Sequence, residues 1–216
     1  MKNSVKQYDK TGLIGMFLAC LVVTAGSCKA QNSIKATDST KTILFVGNSL
    51  TYTNDLPSII VKLGKQKGIN IKTEMLAYPN YALEDHWNDG KMAALIAEKR
   101  FDFVVVQQGP SSQNDGRVML LDYGTRIKTL CDKQNTKLAF FMVWPAFANL
   151  FMFDGVVKNY TDASVTTNSL LCPVGTAWRK HFSDTNDYSY YGPDMFHPSV
   201  KGSEVAAKII FETLFK

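Results

Sequence analysis

The chain of 216 residues carries 24 Lys and Arg against 19 Asp and Glu, a formal charge of +5. Removing residues 1–30 takes away Lys2, Lys6, Lys10 and Lys29 against Asp9 and leaves 20 basic and 18 acidic residues. No Lys/Arg cluster interleaved with aromatics remains, which excludes a nucleic-acid footprint.

Lys2, Lys6 and Lys10 precede an apolar stretch, Leu13 to Ala25, that ends in small residues, the pattern of an export signal over residues 1–30. The stretch is shorter than the ~20 apolar residues of a membrane span and is broken by Gly15. Cleavage after Ala30 and lipidation at Cys28, in Ala25-Gly26-Ser27-Cys28, both fit, with a slight preference for Cys28. The expected location is therefore the periplasm or the outer membrane and cell surface, with contact to the membrane only through that anchor. Residues 31–41 are polar and aperiodic and read as a flexible tether, leaving one domain over 42–216.

Thr42 to Val46 is a continuous apolar run, expected of a strand buried on both faces. A helix is predicted over Leu56–Lys67, with Pro57 in its first turn and Gly68 closing it. A strand over Ile69–Ala77 follows, then one or two helices over Leu83–Lys99 broken near Asp89-Gly90. Phe101–Val106 reads as a strand, Arg117–Cys131 as a helix and Leu138–Val143 as a strand ended by Trp144-Pro145. Phe147–Tyr190 holds a helix around Val174–His181 and many turn-forming residues. A final amphipathic helix spans Ser199–Phe215, with Val205 and Ile209, and Ala206, Ile210 and Leu214, at helical spacing. Alternating apolar strands and helices of this kind predict an α/β fold, a parallel sheet covered on both faces.

Ligands of such sheets bind beyond the carboxyl ends of the strands. Gly47-Asn48-Ser49, Tyr78-Pro79-Asn80-Tyr81 and Gln107-Gln108-Gly109 occupy those places. Taken alone, Ser49 reads more readily as part of a helix cap than as a nucleophile, and Thr51 stands where a GxSxG elbow would have its second glycine. The segment Asp194-Met195-Phe196-His197-Pro198 alters that balance. An aspartate three residues before a histidine can face the imidazole Nδ1 and leave Nε2 to serve as base for a serine. Of the three histidines, His181 ends a predicted helix and His86 reads as a half-exposed structural residue, so His197 is the favoured base.

The blocks ILFVGNSLTYTNDLP and DMFHPSVKGSEVAA resemble the first and last blocks of the SGNH (GDSL-like) hydrolases. The first block, LEDHW and Pro173–Trp178 are similar more narrowly to a branch found among bacterial exported proteins and lipoproteins. The resemblance implies a flavodoxin-like three-layer α/β/α fold and a serine esterase with Ser49 as nucleophile, His197 as base and Asp194 as its partner. The implied oxyanion hole combines the backbone N–H of Ser49 with that of a second-block glycine, here Asn80, which lacks glycine's backbone freedom. Its third donor is a third-block asparagine with no clear equivalent, for which Gln107 is the replacement we expect, with Gln108 and Ser111 as rivals. The implied substrate is a small ester or acylated carbohydrate.

Two other classes stay open: a catalytically weak or silent surface lipoprotein of this fold that binds glycan, and a flavodoxin-like module whose Gly-Asn-Ser turn holds phosphate. No HExxH, CxxC pair, Walker-type loop or GxGxxG is present, so no metal or other cofactor is expected. Cys131 and Cys172 read as buried thiols in preference to a disulfide. The aromatics from Phe147 to Tyr190 read mainly as core, with a few at the rim of a cleft.

Overall fold

The computed structural model describes residues 39–216. The expected export signal over residues 1–30, the expected anchor at Cys28 and nearly all of the expected 31–41 tether lie outside the described residues.

Strand β1 spans Lys41–Gly47 and leads into a single helical turn, α1 (Ser49–Tyr52), a 3₁₀ turn over Thr53–Asp55 and helix α2 (Leu56–Gln66). Then come β2 (Ile71–Ala77), α3 (Leu83–Asn88), α4 (Lys91–Glu98), β3 (Phe103–Val106) and α5 (Asn114–Lys133). The second half holds β4 (Lys137–Phe141), α6 (Phe153–Thr166), β5 (Leu170–Cys172), α7 (Val174–Thr185) and α8 (Val200–Leu214). The five strands form one parallel sheet in the order β2-β1-β3-β4-β5.

This is the flavodoxin-like strand order, whose direction of winding reverses at β1. Right-handed crossovers then put the helix between β1 and β2 on one face, and those leading from β3 to β4 and from β4 to β5 on the other. The packing agrees: α2 lies against α8, while α3, α4 and α6 gather around α5. The expected three-layer α/β/α architecture is the observed one.

The continuous apolar runs mark the central strands. Ile43–Val46 in β1 and Val104–Val106 in β3 are buried, as strands covered by helices on both faces must be. The break expected near Asp89-Gly90 is real, since Gly90 takes a left-handed φ of 73° between α3 and α4. Two elements escaped the sequence reading. Helix α6 contains Gly155, five β-branched residues and two aspartates, so propensity argues against it. Packing holds it instead, through buried Val156, Tyr160 and Ala163, spaced along one face. Strand β5 has three residues and too little length for a periodic signal.

Cys131 and Cys172 are free and buried, as expected. Trp178 and Tyr160 are fully buried, and the Trp178 ring stacks on Trp144 at 3.5 Å between centroids, so these aromatics belong to the core. Phe147 and Phe151 are exposed beside the carboxyl end of the sheet.

Candidate active site

The end of β1 and the end of β3 lie side by side at the reversal of winding, where the strand ends splay apart. Leaving β1, the chain turns sharply at Gly47. A Cβ there would collide with the Thr51 hydroxyl and the Gln107 side-chain oxygen, so only glycine lets the strand pass so close to β3. Asn48 caps the next turn, accepting the Leu50 N–H at 3.1 Å through its side-chain oxygen. Its Nδ2 donates to the Tyr81 carbonyl at 3.0 Å. The cap reading and the nucleophile reading therefore coexist: Asn48 is the cap, which leaves the Ser49 hydroxyl available.

Ser49 Oγ lies 2.8 Å from His197 Nε2 across 148 residues of chain. His197 Nδ1 is 2.5 Å from Asp194 Oδ2. Asp194 Oδ1 also accepts the N–H groups of Phe196 (3.0 Å) and His197 (2.9 Å). The hydrogen bond from His197, opposed by burial and joined by these backbone N–H groups, holds the Asp194 carboxyl below the usual carboxylate range. An ionised Asp194 accepts from Nδ1–H, and that tautomer leaves Nε2 as the acceptor facing the serine. The sequence-predicted trio thus comes together.

Contacts from several elements hold the histidine loop. Met195 adopts a left-handed φ of 57°. Its carbonyl accepts the Phe147 N–H at 2.9 Å, and Gly192 N–H donates to the His197 carbonyl at 2.7 Å. Trp144 Nε1 donates to the Phe196 carbonyl at 3.0 Å. Asn54 donates from Nδ2 to the Pro198 carbonyl and to Ser203 Oγ, both at 2.9 Å, tying the turn after Ser49 directly to the loop that carries His197. Asn54 is itself left-handed, at φ 57°, a conformation asparagine tolerates better than most residues. Neither Trp144 nor Asn54 was picked out from the sequence, because their partners are backbone carbonyls far along the chain.

Asn80 adopts φ 63° in a turn closed by Tyr81 N–H donating to the Tyr78 carbonyl at 3.3 Å. With Pro79 before it, this is the pattern of a type II turn, whose third position requires positive φ and takes glycine or asparagine. Asn80 therefore adopts the backbone that glycine would have supplied. The N–H groups of Ser49 and Asn80 have no hydrogen-bond partner among the described residues. Both residues line a pocket of about 270 Å³ with Asn48, Tyr81, Ala82, Gly109 and Phe196. A larger hollow of about 340 Å³ lies by Val61, Lys65 and Gly68–Ile71 and is lined by no serine, threonine, cysteine or histidine.

Gln107 departs from expectation. Its Oε1 accepts the Asn48 N–H at 3.0 Å and the Thr51 hydroxyl at 2.8 Å, beneath the turn that carries Ser49. Only the carbonyl can face the Asn48 N–H, so Nε2 is turned the other way, and it is enclosed without a partner. Gln107 is 1 % exposed and absent from the pocket wall. An enclosed amide cannot donate to an oxyanion, which corrects the expected role. The rivals are also engaged: Gln108 Nε2 donates to Ser111 Oγ (2.6 Å) and the Gly116 carbonyl (3.0 Å), and Ser111 Oγ donates to the Gly109 carbonyl (3.0 Å).

A second correction concerns His86, which is 1 % exposed where a half-exposed residue was expected. Its Nε2 lies 2.8 Å from the Gly47 carbonyl, at the base of the turn that carries Ser49, and its ring meets Tyr78 and Tyr81. Burial lowers its pKa, so the neutral ring donates to Gly47 from Nε2–H.

No family model and no curated protein matches the sequence. Solved structures do. A protein of Slackia heliotrinireducens described as a candidate SGNH hydrolase superposes with a TM-score of 0.70 at 22% identity, covering 81% of this chain and 99% of that one. A lipase/acylhydrolase from Enterococcus faecalis gives 0.65 at 15% identity, covering 80% and 94%. A catalytic mutant of an acetylxylan esterase from Geobacillus stearothermophilus gives 0.62 at 15% identity, covering 82% and 94%. The chain has the fold of the SGNH hydrolases, and its structural neighbours include esterases and lipases.

Proposed function

We propose that this protein is a serine esterase of the SGNH type, with Ser49 as nucleophile, His197 as base and Asp194 as the carboxylate that orients it. The observation that carries this reading is the continuous relay from Asp194 Oδ2 through His197 to Ser49 Oγ, with contacts of 2.5 and 2.8 Å at the carboxyl end of a parallel sheet. A serine hydroxyl is a weak nucleophile at neutral pH and needs such a base.

In this mechanism His197 Nε2 takes the Ser49 proton as Oγ attacks the ester carbonyl. The carbonyl π pair moves to oxygen, and the N–H groups of Ser49 and Asn80 stabilise the oxyanion. Collapse expels the alcohol, which receives the proton from Nε2 and leaves an acyl-serine. Water activated by the same nitrogen then hydrolyses that intermediate. The small pocket and the acetylxylan esterase neighbour favour a short acyl group on carbohydrate. Export, with an anchor at Cys28, belongs to the same proposal and rests on the sequence alone.

Hydrolysis of 4-nitrophenyl acetate by the full chain, beside Ser49→Ala and His197→Ala, tests it. Turnover should fall at least a thousandfold in both variants, and labelling by a fluorophosphonate should require Ser49. Equal rates in all three proteins would reject the reading. One observation favours a second reading, a weakly active or silent protein that binds glycan: Gln107 does not replace the third oxyanion donor.

A further inference from the structure

Resting on the esterase reading, we infer that the backbone N–H of Gly109 is the third oxyanion donor, in the place of a side-chain amide. The candidates narrow along the wall of the Ser49 pocket. Asn48 Nδ2 is committed to the Tyr81 carbonyl, the N–H of Tyr81 to the Tyr78 carbonyl, that of Ala82 to Asp85 and that of Phe196 to Asp194. Besides Ser49 and Asn80, the backbone donor of that wall without a partner among the described residues is the N–H of Gly109.

Its direction follows from the peptide it belongs to. The Tyr160 hydroxyl donates to the Gln108 carbonyl at 2.6 Å, and Gln108 N–H donates to the Tyr160 hydroxyl oxygen at 3.3 Å. A peptide bond that does not precede proline is trans, so the Gly109 N–H points opposite to the Gln108 carbonyl. That carbonyl faces fully buried Tyr160 in the core, and the N–H therefore faces outward, on the side where Gly109 lines the pocket. Asn159 adds a second brace, donating to the Ser111 carbonyl at 2.7 Å. Side-chain donors on Asn80 and Tyr81, residues that also line the pocket, turn about single bonds. A donor fixed by a planar peptide needs no reorganisation as charge develops. A Cβ at 109 would meet nothing within 4 Å, so alanine fits there.

The test compares Gly109→Pro, which deletes the N–H without breaking a protein hydrogen bond, with Gly109→Ala, which keeps it. In 4-nitrophenyl acetate hydrolysis by the full chain, kcat for the proline variant should lie about a hundredfold below that of the alanine variant, with KM similar in both. Equal kcat in the two variants, beside wild-type turnover that Ser49→Ala abolishes, would overturn this inference and leave the esterase reading standing. Wild-type turnover that does not depend on Ser49 would overturn both. Should Gly109→Pro fail to fold, Tyr160→Phe decides, because it frees the peptide that aims the N–H. A roughly tenfold fall in kcat at constant KM supports the inference, and a wild-type kcat overturns it.

Discussion

Replacing Asp194 separates its two tasks, because its two oxygens do different work. Oδ2 faces His197 Nδ1, whereas Oδ1 caps the N–H groups of Phe196 and His197 and so shapes the loop. Asp194→Asn keeps an oxygen for the loop but can present an NH₂ to Nδ1, reversing the tautomer and leaving Nε2 protonated toward Ser49. In a buried triad that change costs about 10⁴ in kcat. Here the carboxylate is 52% exposed, so solvent screens part of the interaction and a fall of about 10² to 10³ is expected. Asp194→Ala should lose as much activity and also both caps. At an exposed position these are together worth about 1 kcal/mol, or about 2–4 °C in Tm for a domain of this size. Steady-state kinetics with calorimetry on the three proteins measures both effects. An asparagine variant within threefold of wild-type kcat, or one as thermally weakened as alanine, would refute the division of labour.

Gly47→Ala should reduce kcat at least tenfold and lower Tm, since the new methyl collides with the Thr51 and Gln107 oxygens under Ser49; 4-nitrophenyl acetate kinetics and a melting curve check this. His86 makes stability pH-dependent. Its folded pKa lies below its ordinary value of 6.5, so the unfolded chain binds the proton more readily. Its contribution is complete above about pH 6.5 and declines as pH falls toward the folded value, and carboxylates add to that loss only at lower pH. Urea midpoints should therefore drop between pH 7.5 and 5.0 in the wild type and less so in His86→Gln. Burial pushes the Cys131 and Cys172 thiols up to about 12. Peptide mapping should find both unmodified by maleimide in the native protein and both modified after unfolding.

The parts of this fold that the sequence made legible are those whose signal is local. Buried strands such as Phe103–Val106 declare themselves by continuous apolar runs, and the Asp194–His197 pair by spacing within one loop. Asn80 was legible as a position, although the Pro-Asn pair that sets its left-handed turn received no weight. Helix α6 was hidden because tertiary packing overrides its propensity. Gln107 was placed correctly at the end of β3, yet its role depended on which way an amide turns. The Asn48 N–H, in the turn after β1, decides that.

The tie from Asn54 to Pro198 and Ser203 joins the first turn of the domain to its last helix. A chain halted anywhere before residue 197 carries Ser49 without its proposed base, however well the sheet has formed. Under the proposed mechanism hydrolysis requires both ends of the domain, since α8 packs against α2 and the loop before it brings His197 to Ser49.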